Sequence, residues 1–143
     1  MDFKLDDFKL NGMELLSEQF YKNTDRLSEL QEEDTRREIT VEMGLDMAIG
    51  INKDDNKDIA YKTKFSLHQK LDNNEEVLSE LHVEYLFSFY CEKLVLKNYS
   101  EINPEIYEEL SSTLLNISYP YLREHVESVL KKGNLSIEMP LSV

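Results

Sequence analysis

The hydrophobic and polar positions of this chain alternate with two different periods. In "REITVEMGLDMAIGI" the apolar residues Ile39, Val41, Met43, Leu45, Met47, Ile49 and Ile51 take every second position, with Glu38, Thr40, Glu42 and Asp46 between them. A period of two predicts a long strand with one buried face. After the polar run "NKDDNKD", the segment "IAYKTKFSLHQKL" repeats the pattern through Ile59, Tyr61, Thr63, Phe65 and Leu67, so the two segments predict a hairpin. A second polar break, "DNNEE", precedes "VLSELHVEYLFSFYCEKLVL", where Val77, Leu81, Val83, Tyr85, Phe87, Phe89 and Cys91 share one parity. Leu86 and Tyr90 make the other parity apolar too, which predicts burial on both faces of this strand.

The N-terminal "FKLDDFKL" carries Phe3 and Leu5 on one parity and Phe8 and Leu10 on the other, predicting a strand re-aimed by a bulge at Asp6-Asp7. Between residues 18 and 35 the alternation stops; Leu27 and Leu30 permit a short helix in an otherwise long, charged connection. The last third shifts to helical spacing. Asn103 can cap a helix with Pro104 at its first position, and Ile106, Leu110 and Leu114 recur every four residues. Ser118 can cap a second helix with Pro120 in its first turn; Leu122, Val126, Val129 and Leu130 trace its face, and Lys131, Lys132 and Gly133 close it. An extended alternation, Leu135, Ile137, Met139 and Leu141, follows. Four strands and then two helices predict a single α+β domain over residues 1–143: a four-stranded antiparallel sheet with two C-terminal helices packed on one face.

Composition narrows the function. The chain holds 29 acidic and 16 basic residues, a formal charge of −13, which repels phosphate backbones and anionic membranes. Nucleic acid is therefore not an expected partner. Cys91 is the sole cysteine and cannot form an intrachain disulfide; neither an apolar signal segment nor a run long enough for membrane insertion is visible. A soluble cytoplasmic protein is expected.

Catalytic chemistry finds little foothold. His68, His82 and His125 have no partner His or Cys at metal-ligand spacing along the chain, so no metal is expected. Cys91 has no motif that would supply a base, and Gly12, Gly44, Gly50 and Gly133 are too scattered to cradle a phosphate. No enzyme activity and no cofactor are expected. The acidic runs "QEED" and "NPEIYEE" suit solvated faces or a basic partner. The informative side chains are apolar: Met43, Leu45 and Met47 on a strand, and Tyr119, Tyr121, Leu122 and Val126 where the last helix begins. These either form core or line a groove, where methionine's flexible thioether and tyrosine's amphipathic ring suit loosely specific apolar binding.

The element order and "SYPYLREHVESVLKKGN" together resemble the SecB family of protein-export chaperones over roughly residues 3–143. The most specific match is an aromatic-Pro-Tyr step, an arginine-acid pair and a basic-Gly turn before a proline-containing tail: Tyr119, Pro120, Tyr121, Arg123, Glu124, Gly133 and Pro140. "FKLDDFKL", "VEMGLD" and "LSELHVEYLFS" are weaker matches to the first, second and fourth strands. The resemblance implies an ATP-independent holdase that keeps unfolded polypeptides or preproteins in apolar grooves as a homodimer or homotetramer. It also implies an oligomer interface, here assigned to Phe3, Leu5, Phe8, Ile106, Leu110 and Leu114. The family hands clients to the SecA motor through acidic positions on two strands. Leu78 and Glu80 match the fourth-strand pair, whereas the first-strand positions fall on Gly12 and Leu15. Two other expectations compete: a holdase dedicated to one partner, such as an antitoxin or one secreted protein, and a small-molecule or lipid carrier or hydrolase with a closed apolar pocket between sheet and helices.

Overall fold

The computed structural model describes residues 3–32, 39–51, 58–72, 75–92, 104–135 and 137–141. The strands are β1 (Lys9–Lys22), β2 (Ile39–Ile51), β3 (Asp58–Leu71) and β4 (Val77–Tyr90); the helices are α1 (Thr24–Glu32) and α2 (Pro104–Lys132). They build one antiparallel sheet in the order β1-β4-β3-β2. Residue pairs fix its register: Lys64 with Glu84, His68 with Glu80 and Gln69 with Ser79 across β3 and β4, and Glu42 with Lys70 across β2 and β3. Residue numbers rise on one strand as they fall on its neighbour, the mark of antiparallel pairing.

By its internal contacts the chain divides into two compact units, to each of which all four strands contribute a segment. One comprises residues 1–14, 47–62 and 85–143. Its core joins alternate residues of β3 and β4 to α2: Ile59, Tyr61, Phe87 and Phe89 with Leu110, Leu114, Leu122, Val126 and Leu130, all essentially without exposed surface. Phe8 stacks edge-on against Phe89, and Tyr85 meets His125 of α2 edge-on. Each such buried side chain contributes about 1.5–3 kcal/mol relative to remaining exposed.

The other unit comprises residues 15–46 and 63–84. Here Leu30 of α1 packs into a cluster with Leu71 and Leu78, flanked by Leu27. The helix expected around Leu27 and Leu30 is thus α1, and its start is set by one residue. The Asn23 amide donates to the Leu78 carbonyl, its carbonyl accepts from Leu27, and its side-chain oxygen accepts from the Arg26 amide as a helix N-cap. Arg26 then bridges Glu29 and Glu76 at 3.1 and 3.2 Å.

Four expectations need correction. β2 does not bury one face along its length: at the edge of the sheet Ile39, Val41 and Met43 stay exposed, and only Ile51 of this strand is buried. The expected bulged strand at "FKLDDFKL" is a 3-10 turn at Leu5–Asp7, and β1 begins at Lys9. The Asp7 carboxylate accepts from the Lys4 amide while the Asp7 and Phe8 amides bond back to Lys4 and Leu5, so local bonds replace a sheet ladder. The two expected C-terminal helices are one helix of 29 residues with Pro120 inside it. Leu110, Leu114, Ser118, Leu122, Val126 and Leu130 are all buried at four-residue intervals, so the same face stays packed through the proline. That burial offsets the one backbone bond Pro120 cannot donate. Finally, the closing turn puts Asn134, not Gly133, in the left-handed region, with φ 58°. Leu135 and Asn134 donate back to Leu130 and Lys131, satisfying the last carbonyls. The expected cap Asn103 lies outside the described residues.

Beyond the turn, residues 137–140 form neither helix nor strand. Met139 is buried, and the Tyr119 hydroxyl donates to the Pro140 carbonyl at 2.7 Å, holding the tail against α2.

Candidate functional site

β1 and β2 are the two edges of the sheet. Edge strands are ordinarily blunted by charge, proline or brevity, because their unpaired N–H and C=O groups template pairing with another chain. Here β1 runs 14 residues, and Met13, Leu15, Leu16, Phe20 and Tyr21 each keep 38–49% of their surface exposed. On β2, Ile39, Val41 and Met43 keep 39–40%. Apart from Met13, these residues all belong to the unit of residues 15–46 and 63–84. The adjacent pairs Leu15-Leu16 and Phe20-Tyr21 turn apolar side chains to both faces of β1. Such long apolar edges can accept an extended peptide through main-chain bonds and alternate side-chain contacts.

The sequence-assigned groove residues divide between the two units. Met43 is exposed and Leu45 half-buried in one; Met47, Tyr119, Tyr121, Leu122 and Val126 belong to the other. Met47 reaches α2, its sulfur 3.9 Å from the Ser111 hydroxyl. Leu122 and Val126 are fully buried, Tyr119 nearly so, while Tyr121 stays 44% exposed. Burial raises the Tyr119 hydroxyl above the ordinary tyrosine range, with Arg123 opposing the shift and Glu127 adding to it. In the same unit Tyr61, wholly buried on β3 and donating to the Ser111 carbonyl at 3.5 Å, is pushed up to about 12 by burial.

Of the residues assigned to an oligomer interface, Leu5 is exposed, Phe3 and Ile106 are half-buried, and Phe8, Leu110 and Leu114 are buried within the chain. The Phe3 amide donates to Glu109 of α2. Of the two residues matched to a SecA contact, Leu78 is fully buried in the cluster with Leu30, and Glu80 stands half-buried beside His68. Cys91 is fully buried, as expected of a small apolar side chain.

Two features escaped the sequence reading. One is the exposed apolar run of β1, whose broken alternation hid the strand beyond residue 18. The other lies on β3 and β4, where His68, Glu80 and His82 place potential metal-ligand atoms within 4.8 Å of one another. Spacing along the chain conceals this cluster, because His68 joins it across a strand pair; the parity shared by His68 and His82 was the available signal.

A cleft of about 520 Å³, open to solvent, is lined by Gly50, Ile51, Ile59, Ala60 and Phe89 with Asn11, Asp58 and Ser88. Among the described residues no helix is long and apolar enough to cross a membrane.

No protein-family model matches the chain, and no curated protein matches it. Solved structures do. The SecB-like chaperone Rv1957 of Mycobacterium tuberculosis, in complex with a ChAD peptide from the Rv1956 HigA1 antitoxin, matches with a TM-score of 0.66 at 13% identity, covering 96% of this chain and 91% of that one. A protein of unknown function from Streptococcus agalactiae matches with a TM-score of 0.40 at 12% identity, covering 94% of this chain and 97% of that one. The four-stranded antiparallel sheet and C-terminal helix of this chain are accordingly a SecB-like fold, carried by a strongly divergent sequence.

Proposed function

We propose that this protein is a chaperone of the SecB-like class, an ATP-independent holdase that binds unfolded polypeptide. The observation that carries the proposal is that both edges of the sheet are apolar. β1 and β2 leave eight large apolar side chains, Met13, Leu15, Leu16, Phe20, Tyr21, Ile39, Val41 and Met43, exposed beside unpaired backbone. An extended client can add to such an edge as a strand, with specificity supplied only by loosely matched apolar contacts. The solved neighbour supports the reading, since that SecB-like chaperone was captured with a peptide. The charge of −13 fits as well, because a strongly charged surface keeps a protein with exposed apolar strands soluble. The holdase acts as a homodimer or homotetramer, copies associating through one of these two edges.

The test is refolding of a denatured, aggregation-prone client, followed by light scattering, with and without stoichiometric protein and without nucleotide. The unmodified protein suppresses scattering; Val41→Asp with Met43→Asp, both exposed, keeps the fold and loses most of the suppression. Undiminished protection by that folded variant moves the client site off β2. Absence of any protection by the unmodified protein, combined with a lipid or metabolite retained in native mass spectrometry, replaces the holdase by a carrier using the cleft beside Phe89.

A further inference from the structure

His68 on β3 and Glu80 and His82 on β4 form a group that the polypeptide-binding reading does not use. Glu80 and His82 are two residues apart on one strand and so project from the same face. His68 enters from the neighbouring strand: its Nε2 lies 3.4 Å from Glu80 Oε1, and its ring meets that of His82 edge-on with centroids 5.2 Å apart. All three are half-buried, on the two central strands of the sheet.

That geometry matches a metal's requirements. In a tetrahedral zinc site with ligand bonds of about 2.0–2.1 Å, neighbouring ligand atoms stand roughly 3.3–3.4 Å apart. The His68–Glu80 separation already equals that edge at 3.4 Å, and every remaining pair lies within 4.8 Å, inside the reach of a side-chain torsion. The flanking cations leave the carboxylate available: Lys70 pairs with Glu42 at 3.3 Å and Lys64 with Glu84 at 3.9 Å. Two imidazoles and one carboxylate favour a borderline transition-metal ion over calcium or magnesium, which prefer all-oxygen shells. Zinc, having no geometric preference from its d electrons, tolerates the directions that two adjacent strands impose. The charge of −13 further favours cation binding.

We propose that His68, Glu80 and His82 are the three protein ligands of a zinc site, with the fourth position open to water. The proposal is independent of the holdase reading, and its test is a binding measurement. Full-length protein, purified without a histidine tag and stripped with chelator, is titrated calorimetrically with Zn²⁺; Co²⁺ is added in parallel for its visible absorption. One saturable site is expected, with no heat from Mg²⁺. His68→Gln and His82→Gln weaken it by at least about tenfold, since even loss of a group that merely supports a ligand costs about 10–100-fold. His125→Gln, on α2, leaves it unchanged. Glu80→Gln keeps size and shape and serves as the third arm should a histidine variant fail to fold, judged by circular dichroism. Absence of a saturable site, or equal affinity in the folded ligand variants and the unmodified protein, overturns the proposal and assigns any bound metal to scattered surface carboxylates.

Discussion

Replacing Tyr61 by phenylalanine removes one oxygen from a side chain with no exposed surface, and the structure dictates two opposing consequences. At neutral pH the hydroxyl donates to the Ser111 carbonyl, so Tyr61→Phe loses a buried bond worth about 0.5–1.5 kcal/mol. In alkali the sign reverses. Burial holds the folded-state pKa at about 12 against 10.0 for an ordinary tyrosine, so the unfolded chain ionises first. The stability tied to the neutral phenol is complete below pH 10 and drains away as pH rises toward 12. At about 1.36 kcal/mol per pH unit, roughly 1 kcal/mol is gone at pH 11 and roughly 2 kcal/mol at pH 12. The variant cannot ionise there and escapes the loss, so the two stability curves cross between about pH 10 and pH 11. Urea unfolding at pH 8, 10, 11 and 12, followed by far-ultraviolet circular dichroism, measures the difference directly, and the other tyrosines cancel between the two proteins. A deficit of Tyr61→Phe that stays constant across this range would refute the account, showing that the phenol is solvated in the native state.

Other expectations follow from single residues. Pro120→Ala restores a backbone donor in the middle of α2 and removes only an exposed ring, so it raises stability by up to about 3 kcal/mol; an unchanged or lower midpoint of thermal unfolding means that the proline's geometry is needed there. Asn134→Val forces a β-branched residue to φ 58° and costs about 1–2 kcal/mol, whereas Asn134→Gly is neutral or stabilising; equal loss in both variants places the cost in the side chain instead of the backbone.

How far the sequence revealed this molecule depends on whether each determinant is local. β3 and β4 were legible because each buries one parity consistently, as Ile59, Tyr61, Phe65 and Leu67 do on β3, and β2 because its apolar residues alternate along the chain even though Ile39, Val41 and Met43 stay exposed. β1 was obscured by Leu15-Leu16 and Phe20-Tyr21, whose apolar pairs follow neither period because the strand is exposed on both faces. The helix was divided at Ser118 and Pro120, two residues with strong start signals; only the four-residue burial interval running across them shows that packing overrides the signal. Among the groove residues, sequence could place Tyr119, Tyr121 and Leu122 in one stretch, but not that Leu122 is core and Tyr121 surface. The His68–Glu80–His82 cluster depends on which residues face each other across two strands. That register is set by the turn between β3 and β4, where the Leu71 amide donates to the Glu76 carbonyl and Glu75 adopts φ 54°.

Asn23 ends the ladder of β1 and caps α1 with the same few atoms. The switch from extended to helical backbone therefore uses no spare residue, and length cannot vary there as it can in a loop. One residue inserted between Lys22 and Thr24 would rotate α1 by about 100° and turn Leu27 and Leu30 away from Leu71 and Leu78. Homologous sequences aligned across this junction should thus show substitutions at position 23 confined to short polar acceptors, with gaps falling elsewhere. The junction gives a fixed point from which the register of so divergent a sequence can be counted.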